Sequence, residues 1–188
     1  MSRSHRDWEV RSRRRVFAGG PILEVAVEHV ILPDGRELPD YYQIQMADFA
    51  LVFATTEDGV IVLQQYKHGP RRMCLTFPGG AVEDSEPPLA AARRELLEET
   101  GYVSDHWSTY GRYVTNTNQY CNAAYLFRAD RCRRVSAPTA PDVEQPELLV
   151  RPVSELLRPE SLQQFGSVGH LALLTIASHP DSVAAPAS

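Results

Sequence analysis

Three glutamates, Glu95, Glu98 and Glu99, stand at i, i+3 and i+4 in the run Arg93-Arg94-Glu95-Leu96-Leu97-Glu98-Glu99-Thr100-Gly101. On a helix of 3.6 residues per turn this spacing puts three carboxylates on one face. Like charges so placed repel by roughly 0.2–0.5 kcal/mol per pair in an isolated helix. A cluster of hard oxygen donors suits Mg²⁺ or Mn²⁺, and such an ion removes the repulsion. Arg94, next to Glu95, offers a fork of donors that can hold one carboxylate. The plain alternative is a solvated acidic helix face. The glycine-led approach, the spaced Glu86 and the Arg-Glu pair argue against it.

The elements that must carry these groups are legible around them. Pro87 and Pro88 fit only the first turn of a helix, with Ser85 or Glu86 expected as its cap. Gly101 stands where a helix ends in a left-handed residue. Leu89, Ala92, Leu96 and Thr100 form a second stripe that can pack on a sheet. Upstream, Phe49 to Ala54 and Val60 to Leu63 read as strands flanking the turn Glu57-Asp58-Gly59, and Met73 to Phe77 as a short strand feeding the helix. Trp107 to Thr115 and Tyr120 to Arg128 follow as two more strands, then Leu148 to Val153. Ser154 to Leu157 starts a short helix, and Ser167 to Ser178 makes a final one. Ahead of all these, Val16-Phe17, Ile22 to Leu32 and Tyr41 to Met46 read as an antiparallel meander around Pro33-Asp34-Gly35-Arg36, too small to be stable alone.

Residues 79–102 resemble the Nudix box, G-x5-E-x7-R-E-U-x-E-E-x-G-U with U apolar or aromatic. Gly80, Glu86, Arg94, Glu95, Leu96, Glu98, Glu99, Gly101 and Tyr102 fill every fixed position. Over residues 8–130 the chain is similar to the ADP-ribose pyrophosphatase-like branch. An early Trp8, the Pro-Asp-Gly hairpin, Gln64-Gln65-Tyr66-Lys67-His68, Phe77-Pro78-Gly79-Gly80, and Trp107 followed by Gly111 carry that likeness. The resemblance implies Mg²⁺- or Mn²⁺-dependent hydrolysis of the pyrophosphate of ADP-ribose or a related nucleoside diphosphate sugar. GDP-mannose, NADH, or nucleotide sensing without turnover stay open as alternatives. Matched by position, it implies Glu95 and Glu99 as metal ligands, Glu98 as a further ligand or a base, and the Gly79 carbonyl as an additional ligand. Glu86 and Arg94 become orienting groups. A base on a later loop would be Glu144, with Glu147 second and Asp142 also available. Arg71 and Arg72 would hold phosphate or ribose, and Trp8 would stack on adenine across a homodimer formed by exchanged N-terminal sheets. Two positions depart from the branch: Thr117 stands where a proline is usual, and Thr76 where a glutamate often stands. Both bear on the substrate and neither on the metal.

The whole chain fits that frame. At 188 residues, 43% hydrophobic and 23% charged, it has the composition of a globular domain with a sizeable core. The expected class is α+β: a Nudix-type α/β/α sandwich with a mixed central sheet, plus an N-terminal antiparallel sheet used in dimerisation. The expected divisions are 1–46 for the arm and antiparallel sheet, 47–178 for the hydrolase domain and 179–188 for a flexible tail. Residues 131–146, with Pro138, Pro141 and Pro146, read as a long loop of functional character. Net charge is −5, yet residues 1–15 carry +4 and the remainder −9. An acidic body disfavours nucleic acid. No apolar run reaches the roughly 18 residues of a membrane helix. With no secretory h-region and an odd count of scattered cysteines, the expected compartment is the cytoplasm. His68, His106 and His170 lack partners at ligand spacing and read as surface or half-buried side chains. Cys74, Cys121 and Cys132 read as small core residues.

Overall fold

A computed structural model describes residues 7–20, 23–139, 146–179 and 185–187. The chain divides into two compact units, Met1–Ala47 with Val114–Ala123, and Asp48–Tyr113 with Ala124–Ser188.

In the first unit β1 (Glu9–Gly19), β2 (Leu23–Ile31) and β3 (Glu37–Met46) form an antiparallel meander. Pro33-Asp34-Gly35-Arg36 turns β2 into β3, with Gly35 in the left-handed region at φ 83° and its N–H donating to Leu32 O at 2.9 Å. β1 is far longer than the expected Val16-Phe17 segment, because its arginines are paired rather than merely solvated. Arg13 bridges Glu24 and Glu28 of β2, each at 3.0 Å. Apolar alternation misses a strand held by cross-strand charge. The hairpin end 114–123 belongs to this unit too, with Tyr120 and Cys121 parallel to Ile44 and Gln45.

In the second unit the order is β4 (Phe49–Ala54), β5 (Val60–Lys67), β6 (Arg72–Thr76), β7 (Gly79–Ala81), α1 (Pro88–Thr100), β8 (Tyr102–Val103), β9 (His106–Asn116), β10 (Tyr120–Asp130), β11 (Arg133–Arg134), β12 (Glu147–Arg151), α2 (Val153–Leu156), α3 (Pro159–Leu162), α4 (Val168–Ser178) and β13 (Ala185–Pro186). β10 runs parallel to β4 from Ala124 to Ala129, while β7 pairs antiparallel with β4, so the sheet is mixed. A second sheet has the order β12-β5-β6, antiparallel throughout.

Period-two alternation in β4 assigns its side chains to two cores. Ala50, Val52 and Ala54 pack with Ala91, Ala92 and Leu96 of α1. Leu51 and Phe53 pack with Leu173, Leu174 and Ala177 of α4. A strand covered on both faces reads as a continuous apolar run, which is why Phe49–Ala54 and Val60–Leu63 stand out in the sequence. The architecture is therefore α+β, an α/β/α sandwich with a mixed central sheet and additional antiparallel sheets.

Several local expectations are corrected. The N-cap of α1 is Pro87, and no side chain caps it. Ser85 adopts φ 65° in the preceding turn, and the Glu86 carboxylate bonds elsewhere. The C-terminal stop at Gly101 is as expected, at φ 74° with its N–H on Leu97 O. α3 follows α2 and went unread. Part of the tail expected to be flexible is strand β13, paired with Ser108 and Thr109 of β9. Ser167 caps α4, its Oγ accepting the Gly169 N–H at 3.2 Å. Among the described residues no helix is long and apolar enough to cross a membrane.

Candidate active site

The site is assembled where β7 and α1 meet. Gly79 and Gly80 lie on β7, opposite Leu51 and Ala50 of β4. Gly79 sits at φ 153°, and a Cβ there would run into the Ala50 carbonyl oxygen, so only glycine lets the two backbones approach. At Gly80 a Cβ would collide with the Glu95 carboxylate. The paired glycines thus open room for an acid of α1 to lie against the strand.

Arg94 gathers the acids. Its Nε and Nη2 donate to the two Glu86 carboxylate oxygens, each at 3.0 Å, in a bidentate fork. Nη1 donates to Glu95 Oε1 at 2.8 Å and to Glu98 Oε2 at 3.3 Å, and Nη2 also reaches the Ala81 carbonyl at 3.0 Å. Glu86 closes its own turn by accepting the Glu83 N–H at 3.1 Å. One cation therefore offsets the repulsion that the i, i+3 spacing creates. The guanidinium also holds the Glu86 carboxyl below the usual carboxylate range. Glu95 moves the other way: burial against the sheet raises its pKa despite Arg94.

Glu99 is buried, at 8% exposure. Its Oε2 accepts the Gly79 N–H at 2.8 Å. Gly79, Glu86, Arg94, Glu95, Glu98 and Glu99 are thereby brought together, as their spacing and the box resemblance lead one to expect. Among the described residues no three His, Cys, Asp or Glu side chains already converge as a cage for a metal ion. Mg²⁺ takes one or two protein carboxylates and completes its shell with water and phosphate oxygens. The donor set, a partly desolvated Glu95 beside a glycine cradle and a buried Glu99, fits a small hard cation.

The other expected site residues fare differently. Arg72 donates to the carbonyls of Met73 and Gln164 at 3.3 Å and of Phe165 at 3.0 Å, which ties β6 to the segment after α3. Its guanidinium is held by backbone carbonyls at an exposed position. Arg71 is exposed, at φ 54° in the turn before β6. Trp8 belongs to the first unit, where it meets Tyr41 edge-on at 5.6 Å. Glu147 is exposed at the start of β12, opposite Gln64. Asp142 and Glu144 lie outside the described residues.

Sequence reasoning missed His170. Its Nδ1 accepts the Phe77 N–H at 3.1 Å, although spacing gave it no partner. A lone histidine on an apolar helix leaves no linear signal for a bond to a strand 93 residues away. A cleft of about 270 Å³ lined by Lys67, His68, Thr76, Ser167 and His170 lies at the end of β6. A larger one, about 1120 Å³, is lined by Thr55, Glu57, Asp58, Arg128, Asp130 and Arg131 among others, and includes none of the box acids.

A sandwich whose β7–α1 junction gathers acids around one arginine defines a Nudix-type domain. The NUDIX domain model matches residues 45–167, so the chain belongs to the Nudix family. The nucleoside diphosphate sugar hydrolase N-terminal domain matches residues 8–44. An ADP-ribose pyrophosphatase of Bacillus subtilis (strain 168) is 26% identical over 119 residues, 63% of this chain and 64% of that protein. A methanol dehydrogenase activator of Bacillus methanolicus is 30% identical over 54% of this chain and 55% of its own length. An ADP-sugar pyrophosphatase of Mus musculus is 54% identical over 46 residues, 24% of this chain and 21% of that one. The chain thus spans under two thirds of each of these relatives. A crystal structure of an ADP compounds hydrolase superposes with a TM-score of 0.74 at 18% identity, over 93% of this chain and 94% of that one.

Proposed function

We propose that the chain hydrolyses the pyrophosphate bond of ADP-ribose or a related nucleoside diphosphate sugar, using Mg²⁺ or Mn²⁺, to give a nucleoside monophosphate and a sugar phosphate. The observation that carries this reading is the set of box acids held by Arg94 and by the Gly79 N–H. The relatives named for ADP-ribose and ADP-sugar pyrophosphatase activity support the substrate class.

Glu95 and Glu99 would hold the cation, with Glu98 and the Gly79 carbonyl as the protein's further donors. A divalent cation bound there neutralises phosphate charge and makes a bound water more acidic. The chain's own residues do the rest. Arg94 and Glu86 fix the direction of Glu95, so little reorganisation is needed as charge develops. A carboxylate takes the proton of the attacking water as the P–O bond to the leaving phosphate breaks. Glu144 is our assignment for that base, with Glu147 and Glu98 as the other acids in reach of the role. Arg71 is the arginine left to meet phosphate or ribose, and Trp8 to stack on the base from a second copy.

The site belongs to a homodimer in this reading. The exposure of Trp8, Val10, Phe17 and Tyr42 on the meander supports it, since such a surface is better covered. Three free thiols agree with a cytoplasmic location. Thr76, where the branch often has glutamate, accepts the Gln65 amide at 2.9 Å in the buried ladder. A phosphate-release assay coupled to a phosphatase, on ADP-ribose, ADP-glucose, GDP-mannose and NADH with Mg²⁺ or Mn²⁺, tests the reading. Turnover of at least one of them is expected. Absence of turnover across the panel would turn the reading toward nucleotide sensing.

A further inference from the structure

We infer that His170 is a positioning residue for the metal site, holding through its Nδ1 the turn that aims the Gly79 backbone. The inference rests on the metal assignment above. Between β6 and β7 the chain passes through Phe77 and Pro78, and three successive backbone groups there are pinned from three directions. The Phe77 N–H donates to His170 Nδ1 of α4 at 3.1 Å. The Pro78 carbonyl accepts the Val52 N–H of β4 at 2.9 Å. The Gly79 N–H donates to Glu99 of α1 at 2.8 Å.

Pro78 has no N–H, so the donors that pin this turn are the Phe77 and Gly79 amides. The Phe77 ring is 1% exposed and packs against Phe53 and Phe165 at 5.5 Å and against the His170 ring at 6.0 Å. When its acceptor goes, the Phe77 amide loses the bond that ties it to α4. It must find another by rotating the peptide plane, and two residues on lies the Gly79 carbonyl. The helix on one face of the sheet therefore orients a donor expected on the other. The bond requires the neutral tautomer with its proton on Nε2. Burial, reinforced by the Lys67 charge, keeps His170 in that form by lowering its pKa to about 4.

The test compares His170→Phe, which keeps a ring but has no acceptor, with His170→Asn, whose amide oxygen can take the place of Nδ1. Mn²⁺ affinity is measured by electron paramagnetic resonance without nucleotide, alongside kcat, KM and Tm. His170→Phe is expected to weaken Mn²⁺ binding and lower kcat by about tenfold to a hundredfold, as loss of a group that orients a ligand does. KM is expected to move much less, and His170→Asn to recover most of the loss. Wild-type Mn²⁺ affinity in His170→Phe, or equal losses in both variants, would overturn the inference. So would a wild-type protein that binds no Mn²⁺. Mn²⁺ binding without turnover of any nucleotide, with the same ranking of variants, would support His170 and sink the substrate assignment instead.

Discussion

Arg94 is the residue on which the acidic face depends. Its fork satisfies both oxygens of Glu86 while one nitrogen holds Glu95, and lysine has no such fork. Arg94→Lys is expected to destabilise the domain by about 1–3 kcal/mol, read as a lower midpoint in urea, because partly buried carboxylates lose charge-assisted bonds. Glu99→Gln should behave in the opposite way. The glutamine oxygen can still accept the Gly79 N–H, so Tm should stay near wild type while kcat falls on the order of a thousandfold. A near-normal rate would refute Glu99 as a ligand. For the base, Glu144→Gln is expected to slow turnover more than Glu147→Gln, and the reverse order would move the assignment to Glu147. The cluster stands out in the sequence because Glu86, Arg94, Glu95, Glu98 and Glu99 lie within fourteen positions, all but Glu86 on α1. The backbone anchoring of Arg72 was not legible, for the complementary reason. Its partners, the carbonyls of Gln164 and Phe165, are more than ninety residues away and leave no trace in local pattern.

The helices differ in how much of them the sequence carried. α1 was bounded by its own prolines and by Gly101, and the structure explains the glycine twice over. Its φ is 74°, and a Cβ would strike the Ser136 carbonyl oxygen of the segment after β11. Gly101→Ala is therefore expected to cost about 1–3 kcal/mol in unfolding free energy, more than an unconstrained helix end would lose. A cost under 0.5 kcal/mol would show that the 133–136 segment yields easily. The cap differs because Ser85, a favoured capping type, is spent on the preceding turn, and the Glu86 carboxylate is held by Arg94. α4 carries a pH signature through His170, whose pKa is about 4 in the fold, against about 6.5 in an unfolded chain. The unfolded chain binds the proton first as pH falls. The stability from a neutral His170 is thus complete above pH 6.5, is lost between about 6.5 and 4, and levels off below, at most about 3 kcal/mol in all. Urea unfolding of wild type and His170→Asn at pH 7, 5.5 and 4 isolates this slope. Parallel pH profiles would contradict it.

Across the whole molecule, the α/β/α class followed from sequence because β4 and β5 are apolar on both faces and precede a helix with its own stripe. The length of β1 did not, because its arginines look like a solvated arm until Glu24 and Glu28 are set opposite Arg13. If the meander also serves as the dimer surface, removal of residues 1–46 should leave monomeric or insoluble protein by size-exclusion chromatography with light scattering. A well-behaved dimer after truncation would contradict sheet exchange. The account as a whole stands on a divalent cation gripped at the β7–α1 junction. The most direct measurement is Mn²⁺ titration followed by electron paramagnetic resonance on wild type, Glu95→Gln and Glu99→Gln, each with and without ADP-ribose. The account predicts saturable binding in wild type that nucleotide tightens and that either substitution weakens at least tenfold. Wild-type protein that leaves Mn²⁺ free in solution, or variants that bind it equally well, would contradict it.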